Sequence, residues 1–312
     1  MHSALWWQDF EFGKGMVTVK KTGARVPLEP GVIGDVLTWL PFYAVVESWR
    51  LKGTAASAPR IWFAPDRPRP WYLIWAVIHA AGTRIADTPE EADIVFHFDD
   101  STTSDATDHP AGLPAINRDC ASIEKSHVAR VFEAVFGYSL SVDPRQWTGP
   151  MVIKSEKNGA HDGRIITGPC EPQPGCVYQR VIDNSTERGL VEDLRCPSIG
   201  GHIPLVMPKR RRAENRFANT NDEVGVCETD TVLSRREQDQ LADFARAMKL
   251  DWGGLDVLRN REDGRIYVVD VNKTDMGPPI ALSLDDKIRV TRRLADAFLD
   301  YLHSGLNYSR NQ

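Results

Sequence analysis

Three oxygen-bearing residues, Asp256, Asp270 and Asn272, stand out as candidates for chemistry. They fall in two apolar, β-branched runs, Leu255 to Arg259 and Ile266 to Asn272, separated by the polar segment Asn260-Arg261-Glu262-Asp263-Gly264. A polar link ending in Asp-Gly between such runs signals a hairpin. Alternate residues of a strand share a face, so Asp270 and Asn272 point the same way, and Asp256 on the partner strand can meet them. Two carboxylates and an amide oxygen make an all-oxygen site suited to a hard divalent ion such as Mg²⁺. Magnesium held in this way commonly carries phosphate oxygens too, so the first expectation is an enzyme acting on a nucleoside triphosphate. The plainer reading is that Asp and Asn at strand ends are turn formers. Against it stands the cost of an unpaired charge inside an apolar run.

Other residues fit the same chemistry. Lys154 ends an apolar strand and faces a loop, Ser155 to Gly163, that carries Gly159 and Gly163. Glycine lets backbone approach phosphates closely, and free N–H groups there bind anions. Strand, lysine, glycine loop and strand is a weak pattern alone, and Lys125 alone reads equally well as a solvated lysine. Arg195 is followed by a basic run, Lys209 to Arg212, and by Arg216. Such a run is usually a solvated face or a nucleic-acid contact. In an acidic chain with a divalent-ion site it could instead grip phosphates or a substrate carboxylate. His161 has the intrinsic pKa of a general base, although a lone loop histidine is more often structural or solvent-facing. His127 and His202 are weaker candidates still.

These residues need elements to hold them. Arg60 to Ala64 and Asp93 to Phe98 read as strands flanking a helix from Trp71 to Ala81, an order that predicts an α/β layer with a parallel pair. Ile123 to Phe136 has helical spacing and ends at Gly137. Met151 to Lys154, Arg164 to Ile166 and Cys176 to Ile182 read as strands. Ser234 to Met248 is a helix opened by Ser234 with Glu237 three residues on, a capping box. Asp286 to Leu302 is the closing helix.

The 312 residues allow two or three subdomains. A formal net charge of −5 gives no overall basic character to suggest nucleic acid. The five cysteines form no C-x-x-C pair and no zinc spacing, which fits a reducing compartment. The N-terminus lacks the pattern of a signal peptide. The expected location is therefore the cytoplasm. Residues 1–57 form an aromatic-rich extension, and seven of the nine tryptophans lie between Trp6 and Trp75. Its apolar stretch from Gly31 to Leu51 carries Asp35, Pro41, Glu47 and Arg50, so it fails as a spanning helix. Packing on the protein's own body is the favoured role, with docking to a partner or a membrane surface as the alternative.

From about Asn117 to Leu302 the order of parts resembles the ATP-grasp superfamily, closest to its glutathione synthetase and RimK-like ligase branch. Ile123-Glu124-Lys125 resembles the first nucleotide lysine, and Val152-Ile153-Lys154 with its glycine loop resembles the second. Tyr178 to Ile182 resembles the adenine-holding hinge. Asp193-Leu194-Arg195 with Gly200-Gly201 resembles the D-x-R…GG element, and Arg216 to Asn221 the second basic element. Asp256…Asp270-x-Asn272 resembles the magnesium triad. There are three departures. Asp270 stands where Glu is usual in the triad, Lys273-Thr274-Asp275-Met276-Gly277-Pro278-Pro279 replaces a Ser-x-Pro-Gly segment that lies near the acceptor site in relatives, and the loop after Lys154 carries His161 and Asp162 where more glycine is common.

The resemblance implies an ATP-grasp fold with an N-terminal Rossmann-like subdomain. It divides the chain into 1–57, the α/β subdomain 58–116, a small nucleotide-binding subdomain 117–182 and a metal-site subdomain 183–305. It implies ATP and Mg²⁺, with Mn²⁺ as substitute. Lys125, Lys154, Gly159 and Gly163 would contact phosphates. Gln179 and Val181 would flank adenine, and Asp183 would reach the ribose. Asp256, Asp270 and Asn272 would hold metal. Arg195, Arg216 and Lys154 would act on an acyl phosphate. The implied reaction joins a small-molecule or peptide carboxylate to an amine, in a protein that could be a homodimer. A kinase-like phosphotransferase and a non-catalytic nucleotide-binding scaffold are the alternatives. A cavity lined by Arg195, Arg216 and Lys273 would point to an anionic acid.

Overall fold

The computed structural model describes residues 6–13, 15–20, 25–55, 57–104, 112–160, 162–218 and 220–305. His161 and Asn219 lie outside the described residues. The chain opens with an antiparallel meander of β1 (Phe10–Gly13), β2 (Met16–Val19) and β3 (Arg25–Pro27). Helix α1 (Pro30–Leu51) follows, with Pro30 at its first position, where no backbone N–H is needed. The later half of α1 buries Phe42 and Val46 against Trp75 and Ala76, with Trp39, Tyr43 and Trp49 alongside. Packing on the body thus accounts for that half. Ile33, Val36, Leu37 and Leu40 of the earlier half are exposed. Among the described residues no helix is long and apolar enough to cross a membrane.

The α/β layer is built from β4 (Arg60–Pro65), α2 (Leu73–Ala80), β5 (Arg84–Ile85), β6 (Ile94–Phe98) and β7 (Ala115–Ile116). Its four strands pair in parallel in the order β5-β4-β6-β7. All five residues of β6 are buried, as expected of a parallel strand covered on both faces.

Next come α3 (Lys125–Phe136) and a three-stranded antiparallel sheet of β8 (Gly149–Ser155), β9 (Arg164–Gly168) and β10 (Cys176–Arg180), ordered β10-β8-β9. Gly137 ends α3 in the left-handed conformation at φ 78°, the terminator expected there.

The largest sheet holds β11 (Leu190–Ile199), β12 (Met207–Arg212), β13 (Glu223–Val224), β14 (Trp252–Arg259) and β15 (Ile266–Asn272), in the order β13-β12-β11-β14-β15. Two helices, the single turn α4 (Thr229–Val232) and α5 (Arg235–Ala247), precede β14, and α6 (Leu284–Asp300) closes the fold. The capping box of α5 forms as read: Ser234 and Glu237 satisfy each other's backbone N–H. One face of the large sheet presents Leu194, Cys196, Leu255, Val257 and Val271 to Phe132 of α3 and to Leu241 and Phe244 of α5. The opposite face carries the charges.

Asn117 locks the α/β layer to the large sheet. It follows β7, has φ +58° and is wholly buried. Asn tolerates that conformation better than most residues. Its Oδ1 accepts from the backbone N–H of Asp251 (2.8 Å) and Trp252 (2.9 Å), and its Nδ2 donates to the Trp252 carbonyl at 2.7 Å. Its own N–H donates to Asp251 Oδ2 at 2.7 Å. Truncation strands two backbone donors and a carbonyl in the interior. Asn117→Ala is expected to destabilise the protein by about 3 kcal/mol or more, read as a lower urea midpoint with an unchanged slope.

Candidate active site

The charged face follows from strand register. Arg195 on β11 stands opposite Asp256 on β14, and Asp193 stands opposite Lys209 on β12. Asp256 pairs with Asp270 of β15, and Gly254 with Asn272. By the two-residue period, Asp193, Arg195, Lys209, Arg211, Asp256, Asp270 and Asn272 share one side of the sheet. The three candidate metal ligands are therefore neighbours, as the hairpin pattern predicted.

Asp256 is clamped by two cations. Arg195 Nη1 lies 2.9 Å from one carboxylate oxygen and Lys209 Nζ 2.9 Å from the other. Burial alone would raise the Asp256 carboxyl; Arg195 and then Lys209 overcome it and hold the group well below the usual carboxylate range. Arg195 also contacts Asp275, which is 2% exposed. The backbone of β14 makes way for this pair: a Cβ on Gly254 would strike both the Asp275 carboxylate and the Arg195 guanidinium. Arg211 pairs in the same manner with Asp193.

Asp270 differs. Its Oδ1 is buried and has no hydrogen-bond partner among the described residues. The ladder slips between Asp256 and Val257, so Val269 is the extra residue of a bulge. Its carbonyl is thereby released to accept from Lys154 Nζ at 2.9 Å. Lys154 thus reaches from β8 to β15. Burial pushes its ammonium down to about 8, against the pull of Asp270. Lys125 Nζ donates to the Lys157 carbonyl at 2.9 Å, which ties α3 to the glycine loop. In that loop Gly159 takes φ +69°, and a Cβ on Gly163 would come within 2.6 Å of Phe217.

Gln179 and Lys154 lie on the same face of the small sheet, since Val177 pairs with Lys154 and Gln179 with Val152. Gln179 is 2% exposed, and its Nε2 has no partner among the described residues. Val181 is half-buried beyond β10, and Asp183 is exposed, accepting from the Ser185 N–H at 3.1 Å. Arg216 braces this hinge by donating to the Ile182 carbonyl (3.1 Å) and to Asn184 Oδ1 (2.8 Å).

Two expectations about cations change. The basic run is strand β12 rather than a wholly solvated face, and carboxylates take three of its charges: Lys209 meets Asp256, Arg210 meets Glu192 at 2.6 Å, and Arg211 meets Asp193, while Arg212 is exposed. Lys273 does not join Arg195 and Arg216 in lining an open cavity. Lys273 is 1% exposed, bonded to Ser104 Oγ and 3.9 Å from Asp99. Sequence reasoning also passed over Asp275, Lys209 as an Asp256 partner, Asn158, and the group Asp66, Asp99 and Asp100 at the C-terminal ends of β4 and β6. Only the two-residue alternation of Lys209 and Arg211 signalled any of these in advance.

No family model matches the chain. The ATP-grasp ligase PsnB in complex with a minimal precursor superposes with a TM-score of 0.50 at 14% identity, over 78% of this chain and 98% of that one. A D-alanine–D-alanine ligase from Bacillus anthracis also gives 0.50 at 14% identity, over 81% and 99%. This chain has the ATP-grasp fold. In sequence, a probable alpha-L-glutamate ligase from Xylella fastidiosa is 29% identical over 126 residues. That match takes in 40% of this chain and 39% of the relative's length.

The residues of this site fit a divalent ion. The donors are all oxygen, and one buried carboxylate oxygen of Asp270 lacks a partner among the described residues. Gln179, with a spare donor on the face that carries Lys154, fits a base edge. The lowered pKa of Lys154 generates a pH test. Affinity for a non-hydrolysable ATP analogue is expected to fall with pH above about 8, as the free protein loses the charge that meets phosphate. Lys154→Arg should remove that bend, because guanidinium stays protonated. Calorimetric titrations between pH 7 and 9.5 check both.

Proposed function

We propose that this protein is an ATP-dependent ligase that joins a carboxylate to an amine through an acyl phosphate. The observation that supports it most is the meeting of Asp256, Asp270 and Asn272 on adjacent strands, faced by Lys154, with a carboxylate oxygen of Asp270 buried and unpartnered among the described residues. Asp256, Asp270 and Asn272 are assigned to Mg²⁺, which supplies charge neutralisation along the triphosphate. Lys125, Lys154, Gly159 and Gly163 are assigned to phosphates, Gln179 and Val181 to adenine, and Asp183 to ribose. We divide the chain into the extension 1–57, the α/β layer 58–116, a nucleotide subdomain 117–182 and a metal-site subdomain 183–305.

The protein's own groups manage charge. The substrate carboxylate attacks the terminal phosphoryl group of ATP, ADP leaves, and the amine then displaces phosphate from the acyl carbon. Arg195 already touches Asp256 and Asp275. With Asp256 assigned to a cation, Asp275 would keep Arg195 over Gly254, where its remaining N–H groups would meet the acyl phosphate. Arg216 holds the hinge from the other side. The glycine loop excludes water that would hydrolyse the intermediate. The name of the partial relative favours an amino-acid or peptide acid as substrate. Five free cysteines fit the cytoplasm.

ADP release that depends on a candidate amino acid or peptide, with capture of a hydroxamate by hydroxylamine, is the expected result. Phosphorylated product without a hydroxamate would favour a phosphotransferase, and nucleotide binding without turnover a scaffold. Asp270→Asn should lower turnover by at least about 100-fold with an unchanged circular dichroism spectrum. Full activity in that variant would refute the metal assignment.

A further inference from the structure

Asn158 lies in the glycine loop, far in sequence from the metal ligands, yet its Nδ2 donates to Asn272 Oδ1 at 3.2 Å. An amide ligand presents two chemically opposed ends. The oxygen binds a cation and the NH₂ repels it, so the plane must be held one way round. A carbonyl oxygen has two lone pairs. A donor on one of them fixes the orientation and leaves the other for the ion, as outer hydrogen bonds do at metal sites generally.

The loop that delivers this donor is itself held. The Asn158 N–H donates to Thr102 Oγ1 at 3.0 Å. Thr102 follows β6 of the α/β layer, and its carbonyl accepts from the Ile123 N–H at 2.9 Å. The Lys157 carbonyl accepts from Lys125, and Glu156 accepts from the Ser126 N–H at 3.1 Å. Gly163, at the far end, packs on Phe217. A residue that touches a candidate ligand on one side and the segment after β6 on the other connects two parts of the molecule.

We propose that Asn158 is a positioning residue for the metal site: by donating to Asn272 it turns that amide oxygen toward the cation, and Thr102 holds the backbone that carries it. This inference rests on the metal assignment made above. It ties the α/β layer, next to the departing loop Lys273 to Pro278, to the affinity for the ion.

The test is Mn²⁺ binding read by electron paramagnetic resonance in the presence of a non-hydrolysable ATP analogue, with no turnover involved. Asn158→Ala is expected to weaken Mn²⁺ about 10-fold, and Thr102→Val to weaken it in the same direction by less. Affinity for the analogue in excess chelator and the urea midpoint should stay at wild-type values. Asp270→Asn is measured in parallel. Loss of Mn²⁺ in Asp270→Asn with wild-type affinity in Asn158→Ala would overturn the role of Asn158 and leave the metal site standing. Wild-type affinity in Asp270→Asn would overturn both. Unchanged affinity in Thr102→Val would overturn the link to the α/β layer.

Discussion

The charge balance on one face of the large sheet governs the rest of the molecule. Asp193, Asp256, Asp270 and Asp275 would repel one another on this largely buried face. Arg195, Lys209, Arg211 and Lys154 stand among them as counter-ions. Removing one member of such a network leaves an uncompensated charge, which costs far more than the pair contributes. Asp256 therefore stays ionised and close to Asp270 before any ligand arrives. Gly254 and the bulge at Val269 exist in service of this arrangement. The first makes room for Arg195 and Asp275, and the second offers a carbonyl to Lys154.

The apolar elements explain why this face can be held so firmly. The opposite side of the same strands packs on α3 and α5 through Phe132, Leu241 and Phe244. A one-residue slip would turn that apolar set outward and the charges inward. Register is thus fixed by hydrophobic burial, and the geometry of the charged groups comes with it. Asn117 completes the frame by joining the α/β layer to the start of β14.

Local patterns were legible in the sequence, and long-range ones were not. The hairpin that aligns Asp256 with Asp270 needs only alternation and a turn. The capping box at Ser234 and the stop at Gly137 are likewise short-range signals. Lys209 was obscured because four adjacent cations look like a solvated stretch, although β12 pairs each of them with an acid. Asp275 and Asn158 become significant only when distant segments meet, at Arg195 and Asn272. The departure from the family pattern after Asn272 was visible, but its meaning was not. Lys273 and Asp275 turn inward in opposite senses, one to Asp99 and Ser104 and the other to Arg195.

The central claim is that the cations of a bound triphosphate sit on this charged sheet face. Anomalous diffraction from crystals grown with Mn²⁺ and a non-hydrolysable ATP analogue tests it most directly. The account predicts a manganese peak about 2.1 Å from oxygens of Asp256, Asp270 and Asn272, with Lys209 displaced from Asp256. A peak at Asp66, Asp99 and Asp100 instead, with Asp256 still clamped by Arg195 and Lys209, would contradict it.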